Sequence, residues 1–588
     1  MVLSFVISVS TYSQQRPNIV IIMADDLDDF VTPQFFSEVL PVIDSLKRNG
    51  INFKNSFVAT PVCCPSRAGT LSGKYGHRIN VLNNGSEHGG WKQFHDDERN
   101  ALPAELYQAG YRTAMIGKYL NGFETDKGKL PPLPFGWTDG AVFTGKKSDP
   151  YIGYDYELLE WKDGKSQDDT SWNANTRLRR YGNNAEDYST DVLARYAVRF
   201  IEQCEANDHQ PLFLYLTPTA PHFPLYAPPR YYERTVQKWS YVPVPRQPNT
   251  FNDKGKLAAE NESKVPPDKP WWIRQTWRKR VRQSEYGGHL FNMLWKTNVP
   301  RHIRVYKDAD WFNRMGSLYA LNDLIENVIN TLKEKGEWDN TLLIFTSDNG
   351  YQFGNHGLYQ KSTPYEEAIR VPLIITGGAA LNLRSKTEFE QWILNLDLMP
   401  TILELADIEP FDSLDGRSLS AFILDDSVIP EWRDRFLIEY DGPGMAGFMS
   451  NRERLMIKFF LSYFSDLPTY RAIRMQLPKE NGEINTFKYV EWMRYPKLNP
   501  IKYRLQSNDP KIVRRLKNDN PRTLRRIEKA QTVEKELYNI SEDPYELDNL
   551  LYYQPEKYSK IAERMSEAMR MMLLNGDKKT PSAIRERG

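Results

Sequence analysis

The sequence predicts an α/β protein: a large, mainly parallel sheet sandwiched by helices, followed by a smaller C-terminal α+β subdomain. Three observations carry this. Apolar, β-branched runs recur from Asn18 to Ile375, the pattern of strands buried on both faces. Helical periodicities fall between them, and strands alternating with helices argue for a parallel sheet covered on both sides. A chain of 588 residues is also long enough to build one large core.

In chain order, Met1–Ser13 (MVLSFVISVSTYS) is apolar and then small and polar. It has the character of the apolar and cleavage portions of a secretory signal without the charged start. Residues 1–15 are therefore expected to be a signal segment, and the protein to be exported, periplasmic or secreted. A frayed strand is the other reading. Asn18–Met23 reads as a buried strand ending at Asp25 and Asp26, with Asp28 and Asp29 behind. Tyr111–Ile116 leads into Gly117-Lys118, and Leu212–Leu216 into a turn bearing His222. Leu321, Leu324, Ile325, Val328, Ile329 and Leu332 share one helix face, with Gly336 as C-cap. Thr341–Thr346 runs into Ser347-Asp348-Asn349-Gly350, and Val371–Ile375 is a further strand. Residues 16–432 make the main domain. From 433 to 588, shorter segments and a final Met-rich helix make the C-terminal subdomain.

Composition excludes several classes. The 77 basic and 76 acidic residues cancel to +1, so no global field draws the chain onto nucleic acid. A mean hydropathy of -0.61 argues against a membrane span. Cys63, Cys64 and Cys204 cannot form a disulfide framework.

Ligands of open α/β sheets bind beyond the carboxyl ends of strands, and here those ends carry the chemistry. Asp25, Asp26, Asp348 and Asn349 offer only hard oxygens, suited to Ca²⁺ or Mg²⁺ rather than zinc. Each alone also reads as a helix cap or a turn. Together, without a cation, they would repel. In PVCCPSRAGTLSGKYGHR (61–78), Pro65 marks the first turn of a helix. Cys63 then precedes a helix N-terminus, where amides and dipole favour an oxyanion or thiolate, and Arg67 follows a turn later. A buried Cys pair beside a capped helix is the alternative.

The run Cys63-Cys64-Pro65-Ser66-Arg67 with Leu71-Ser-Gly-Lys74 resembles the signature of type I sulfatases, formylglycine-dependent members of the alkaline phosphatase superfamily. Arg16–Asp26, Gly117-Lys118-Tyr119, Ala220-Pro221-His222, Thr346–Gly350, Lys361 with Tyr365–Pro372, and Glu536–Leu547 resemble the family's other motifs, in order. The resemblance implies an alkaline phosphatase-like fold and a metal site of Asp25, Asp26, Cys63 as formylglycine, Asp348 and Asn349, with one Ca²⁺. It implies a maturation enzyme that converts Cys63. Arg67 would hold the formylglycine, Lys118 and Lys361 would bind sulfate oxygens, and His222 would contact the ester oxygen. The hydrated aldehyde attacks sulfur, His222 or Lys361 protonates the leaving oxygen, and the second hydroxyl expels sulfate.

One position departs from the family. Many sulfatases carry His two residues after the lysine, where this chain has Leu120. That form is similar to N-acetylglucosamine-6-sulfatases and heparan 6-O-endosulfatases. It leaves the base for hydrate breakdown open, with His77 a candidate or, equally, a histidine capping the helix end. Residues 239–310 read as an insertion. Trp271, Trp272, Trp277, Arg280, Arg301 and Arg304 there suit sugar stacking and sulfate pairing or, equally, a solvated basic helix packed on the core through its Trp face. The basic run Arg514–Arg526 is a solvated face or a polyanion contact. The substrate implied is a sulfated polysaccharide or oligosaccharide. The alternatives are a phosphonate or phosphodiester hydrolase, and an inactive polysaccharide-binding relative.

Overall fold

The computed structural model describes residues 16–576, except 86–88, 125–129, 145–149, 164–174, 206–209, 224, 240–246, 249–267, 271, 274–308, 425–426, 443–466, 480 and 495–530. The segment 1–15, most of the Trp/Arg-rich stretch and the run Arg514–Arg526 therefore lie outside the described residues.

The strands in chain order are β1 (Asn18–Ala24), β2 (Ile51–Phe57), β3 (Arg112–Gly117), β4 (Asp139–Thr144), β5 (Glu157–Trp161) and β6 (Arg177–Arg180). They continue with β7 (Leu212–Thr217), β8 (Thr341–Ser347), β9 (Gln352–Phe353), β10 (Tyr359–Gln360), β11 (Leu373–Gly377) and β12 (Thr387–Leu394). Ten of them form one sheet in the order β12-β2-β11-β8-β1-β7-β3-β4-β5-β6. β1 pairs in parallel with β7 and β8 at its centre, and β3 extends the parallel run to β4. Only β11 and β5 run against the rest. The predicted strand at 371–375 is thus real, shifted by two residues and reversed.

β1, β7 and β8 are buried along their whole length, as expected for strands with helices on both faces. The sheet divides two apolar cores. One packs Val20, Ile22 and Leu214 against Leu321, Ile325 and Val328 of the helix Ala309–Glu334. That helix ends as predicted, with Gly336 at a φ of 79° two residues on. The other core packs Ile19, Ile21 and Phe213 against Cys64, Ala68 and Leu71 of the helix Cys63–Ser72.

Beyond residue 432, β13 (Arg435–Tyr440), β14 (Thr469–Pro478), β15 (Ile484–Arg494) and β16 (Gln531–Asn539) form an antiparallel sheet with the helix Pro555–Asn575 against it. Where this sheet meets the large one, Phe57, Leu358 and Ile369 share an apolar core with Phe436, Ile473 and Leu537, and ion pairs join the seam. Lys488 lies 2.8 Å from both Glu366 and Glu546, and Arg474 lies 3.2 Å from Glu366. Lys269 donates to the Tyr538 hydroxyl and to the Glu546 carbonyl. Trp272 is buried in this seam, 5.0 Å from the ring of Trp492, which favours the core-packed Trp reading over sugar stacking at this residue.

Candidate active site

Parallel strands deliver their carboxyl ends to one edge, and the predicted chemistry collects there. β1 stops at Ala24, and Asp25 and Asp26 follow. Asp26 has a φ of 68°, in the left-handed region. Consecutive residues of a straight strand would point to opposite faces; this turn brings both carboxylates to one place. Asp348 follows the end of β8, and its Oδ1 accepts the Asp26 amide at 3.1 Å. Lys118 follows β3 through Gly117, whose φ is 116° and whose Cβ would meet the Thr217 carbonyl at 2.2 Å. Only glycine allows that approach, which lets the Lys118 amide donate to the Thr217 carbonyl at 2.8 Å.

Cys63 opens its helix rather than preceding it, with Val62 as N-cap. Its Sγ lies 3.8 Å from Asp25 Oδ1, and Lys361 Nζ donates to it at 2.8 Å. Lys361 also pairs with Asp26, Lys118 Nζ donates to Asp25 at 2.6 Å, and Arg67 Nε donates to Asp348 at 2.8 Å. Asn349 Nδ2 donates to Asp26 at 2.7 Å. His222 Nε2 stands 3.5 Å from Asp26 Oδ2. One ligand atom each from Asp25, Asp26, Cys63 and His222 lie within 4.8 Å of one another.

These contacts set the charge states. Burial would raise Asp25, but Lys118, His222 and Arg67 outweigh it and hold the carboxyl at about 2. Asp26 is lowered in the same way, against burial, by His222 and Lys361. Burial would also neutralise Lys118 and Lys361, yet Asp25 and Asp26 keep both ammoniums charged with pKa values well above the ordinary lysine range. Burial pushes the Cys63 thiol up and the Cys64 thiol to about 12. Burial lowers His222, opposed by Asp26 and Asp25. Three carboxylates face three permanent cations, so the mutual repulsion expected from the sequence is already largely relieved by the chain's own side chains.

The structure thus brings together Asp25, Asp26, Cys63, Arg67, Lys118, His222, Asp348, Asn349 and Lys361. The contacts given for His77 are with other residues: its Nδ1 lies 3.0 Å from Glu439 and its ring stacks on Tyr75. Leu120 is buried. Sequence reasoning missed Tyr151, whose ring stacks on His222 at 4.2 Å. It sits in a short turn after β4 where no periodicity marks it; the preceding Pro150 is its one local signal.

The sulfatase family profile matches residues 17–408, the span holding every residue of this cluster. The chain belongs to the sulfatase family. It is therefore a hydrolase of sulfuric esters, with the alkaline phosphatase-like fold expected of one. This sulfatase is 32% identical over 447 residues to N-acetylglucosamine-6-sulfatase of Homo sapiens, covering 73% of the chain and 68% of that protein. Its fold matches a solved structure described as in complex with its substrate D-glucosamine-2-N,6-O-disulfate, with a TM-score of 0.61, 21% identity and coverage of 96% of this chain and all of that one. It also matches the phosphonate monoester hydrolase of Silicibacter pomeroyi, with a TM-score of 0.58, 20% identity and 96% of each chain covered. At these identities the two structures bear on fold alone. Among the described residues no helix is long and apolar enough to cross a membrane.

Proposed function

We propose that this sulfatase removes sulfate from a glycosaminoglycan-like sugar at the Cys63 cluster, with Cys63 converted to formylglycine and one Ca²⁺ beside it. The observation that carries the reading is Cys63 Sγ held at 2.8 Å by the Lys361 ammonium between the Asp25 and Asp26 carboxylates. The donor set fits a hard divalent ion: Asp25, Asp26, Asp348 and Asn349 would hold it, and the buried Asn349 Oδ1 has no hydrogen-bond partner among the described residues. Formylglycine would supply, as its hydrate, a nucleophilic hydroxyl and a second one for release of sulfate. Ca²⁺ would supply positive charge for the sulfate oxygens.

The remaining roles belong to the chain's own side chains. Lys118 and Lys361 spread the negative charge that grows on the sulfate oxygens. Arg67, fixed by Asp348 and by the Lys118 carbonyl at 2.7 Å, orients the residue at 63. His222 faces the site through Nε2 and delivers the proton that a sugar alkoxide needs to leave. Lys361 is tied to both Asp26 and Cys63, which leaves His222 the better-placed acid. No step of this reading uses His77.

The reading requires a formylglycine-generating enzyme acting on Cys63, and it places the protein outside the cytoplasm on the strength of the Met1–Ser13 run. The activity named for the human relative, N-acetylglucosamine-6-sulfatase, directs the sugar choice toward N-acetylglucosamine 6-sulfate. Mass analysis of the Cys63 peptide, from a host with the maturation enzyme, tests the modification. Turnover of matched sulfate, phosphonate and phosphodiester aryl esters tests the chemistry. The aldehyde and a sulfate preference are expected; a retained thiol or a phosphodiester preference overturns the reading. Chelation is expected to abolish turnover and added Ca²⁺ to restore it.

A further inference from the structure

We propose that Tyr151 is a positioning residue for leaving-group protonation, its ring fixing the plane of the His222 imidazole; this rests on the sulfate-ester reading above. Of the charged side chains around Cys63, His222 is the most exposed, at 20% against 7% or less for Asp25, Asp26, Arg67, Lys118, Asp348 and Lys361. Packing therefore constrains it least. One hydrogen bond joins its Nδ1 to the Phe223 carbonyl at 2.5 Å. Nδ1–H is thus the donor, so the ring releases a proton from Nε2, the atom facing Asp26, only as the imidazolium.

The Nδ1 bond and the 3.5 Å approach of Nε2 to Asp26 hold the ring only at its edges, so the tilt of its plane depends on what packs against its face. The Tyr151 ring packs there. The two rings stack with centroids 4.2 Å apart and planes 30° apart, a close contact for an aromatic pair. Lys118 Nζ lies 5.0 Å from the centre of the same Tyr151 ring, within the range of a cation–π contact. One aromatic ring thus contacts both the proposed proton donor and a proposed sulfate-binding ammonium. Pro150, just before Tyr151, fixes its own φ and stiffens the turn Pro150–Ile152 that presents the ring.

The balance of the step is simple. As the sulfur–oxygen bond breaks, its electron pair stays on the sugar oxygen, which takes the proton from His222 Nε2. An aryl sulfate leaves as a stabilised phenolate and needs little of that proton. The test uses the mature, formylglycine-bearing enzyme with 4-nitrophenyl sulfate and with a 6-sulfated N-acetylglucosamine. Tyr151→Leu is expected to lower kcat on the sugar sulfate about 10²-fold with KM little changed, and kcat on the aryl sulfate by less than about tenfold. Tyr151→Phe keeps the ring and is expected to stay within about threefold of wild type on both esters. An equal loss on both esters, no loss on either, or a Tyr151→Phe variant as slow as Tyr151→Leu overturns the proposal. Aryl sulfate turnover by each variant reports that its site is folded. A wild-type enzyme that hydrolyses neither ester overturns the functional reading instead.

Discussion

Two buried ionic clusters, built from the same residue types, behave in opposite ways. Around Cys63 each acid has its own cation: Asp25 has Lys118, Asp26 has Lys361 and Asp348 has Arg67. At the seam the cations are shared or distant. Lys488 serves both Glu366 and Glu546, while Glu536 is met by Tyr365, Trp492 and Tyr538 through neutral donors. Glu366, with Arg474 as well, overcomes burial and falls to about 2. Burial prevails for Glu536 and Glu546, which rise to about 7. Two cations on one carboxyl, as at Glu366, outweigh burial, whereas the single shared lysine at Glu546 and the neutral donors at Glu536 do not. The first arrangement keeps Lys118, Lys361 and Arg67 paired and charged around Cys63; the second ties the antiparallel sheet to Glu366, which precedes β11 of the large one.

Four experiments break or sharpen that contrast. Cys63→Ala is expected to lower sulfate-ester turnover about 10⁴-fold or more while leaving the melting temperature near wild type, measured by steady-state kinetics and calorimetry. Lys488→Met leaves Glu366 and Glu546 without their shared cation. It is expected to cost about 3–5 kcal/mol in denaturant unfolding, with kcat of the folded fraction retained. Lys361→Ala is expected to lower kcat about 10²–10³-fold and, because it too leaves a buried carboxylate without its cation, to destabilise as well, so kcat of the folded fraction is what separates it from the seam variant. Glu536→Gln addresses pH. Its carboxyl is raised above its unfolded value of 4.5 to about 7, so its stabilising contribution is complete below pH 4.5 and is lost as pH rises toward 7. Unfolding at pH 5 and pH 8 is expected to show a decline of up to roughly 3 kcal/mol in the wild type, reduced in Glu536→Gln. A pH-independent wild type would contradict the assignment.

Much of the site was legible because strand ends announce it. A buried β-branched run that stops at Asp25-Asp26, and another at Asp348-Asn349, reads directly as two strands opening onto one edge. Cys63 and Arg67, one helical turn apart, were legible for a similar local reason. Sheet order was not. β2 (INFKNSF) and β6 (RLRR) carry too little apolar pattern to mark as strands, and the reversed place of β11 between β8 and β2 is set by long-range pairing. The burial of Trp272 was hidden as well, since a Trp among arginines reads the same on a surface as in a seam. Tyr151 beside His222, and His77 paired with Glu439, show the same limit: neighbours from distant strands and turns decide what a lone aromatic or histidine touches.

Asp26 carries a consequence for engineering. Because the pair of carboxylates converges through one left-handed residue, the dipeptide is not a portable module. Transplanted into an uninterrupted strand, Asp-Asp would send one oxygen pair into each layer of helices and capture nothing. Asparagine at that position would preserve the kink, whereas valine or isoleucine would oppose it. What a transplant must carry is the bend at the edge of the sheet, with the acids as its passengers.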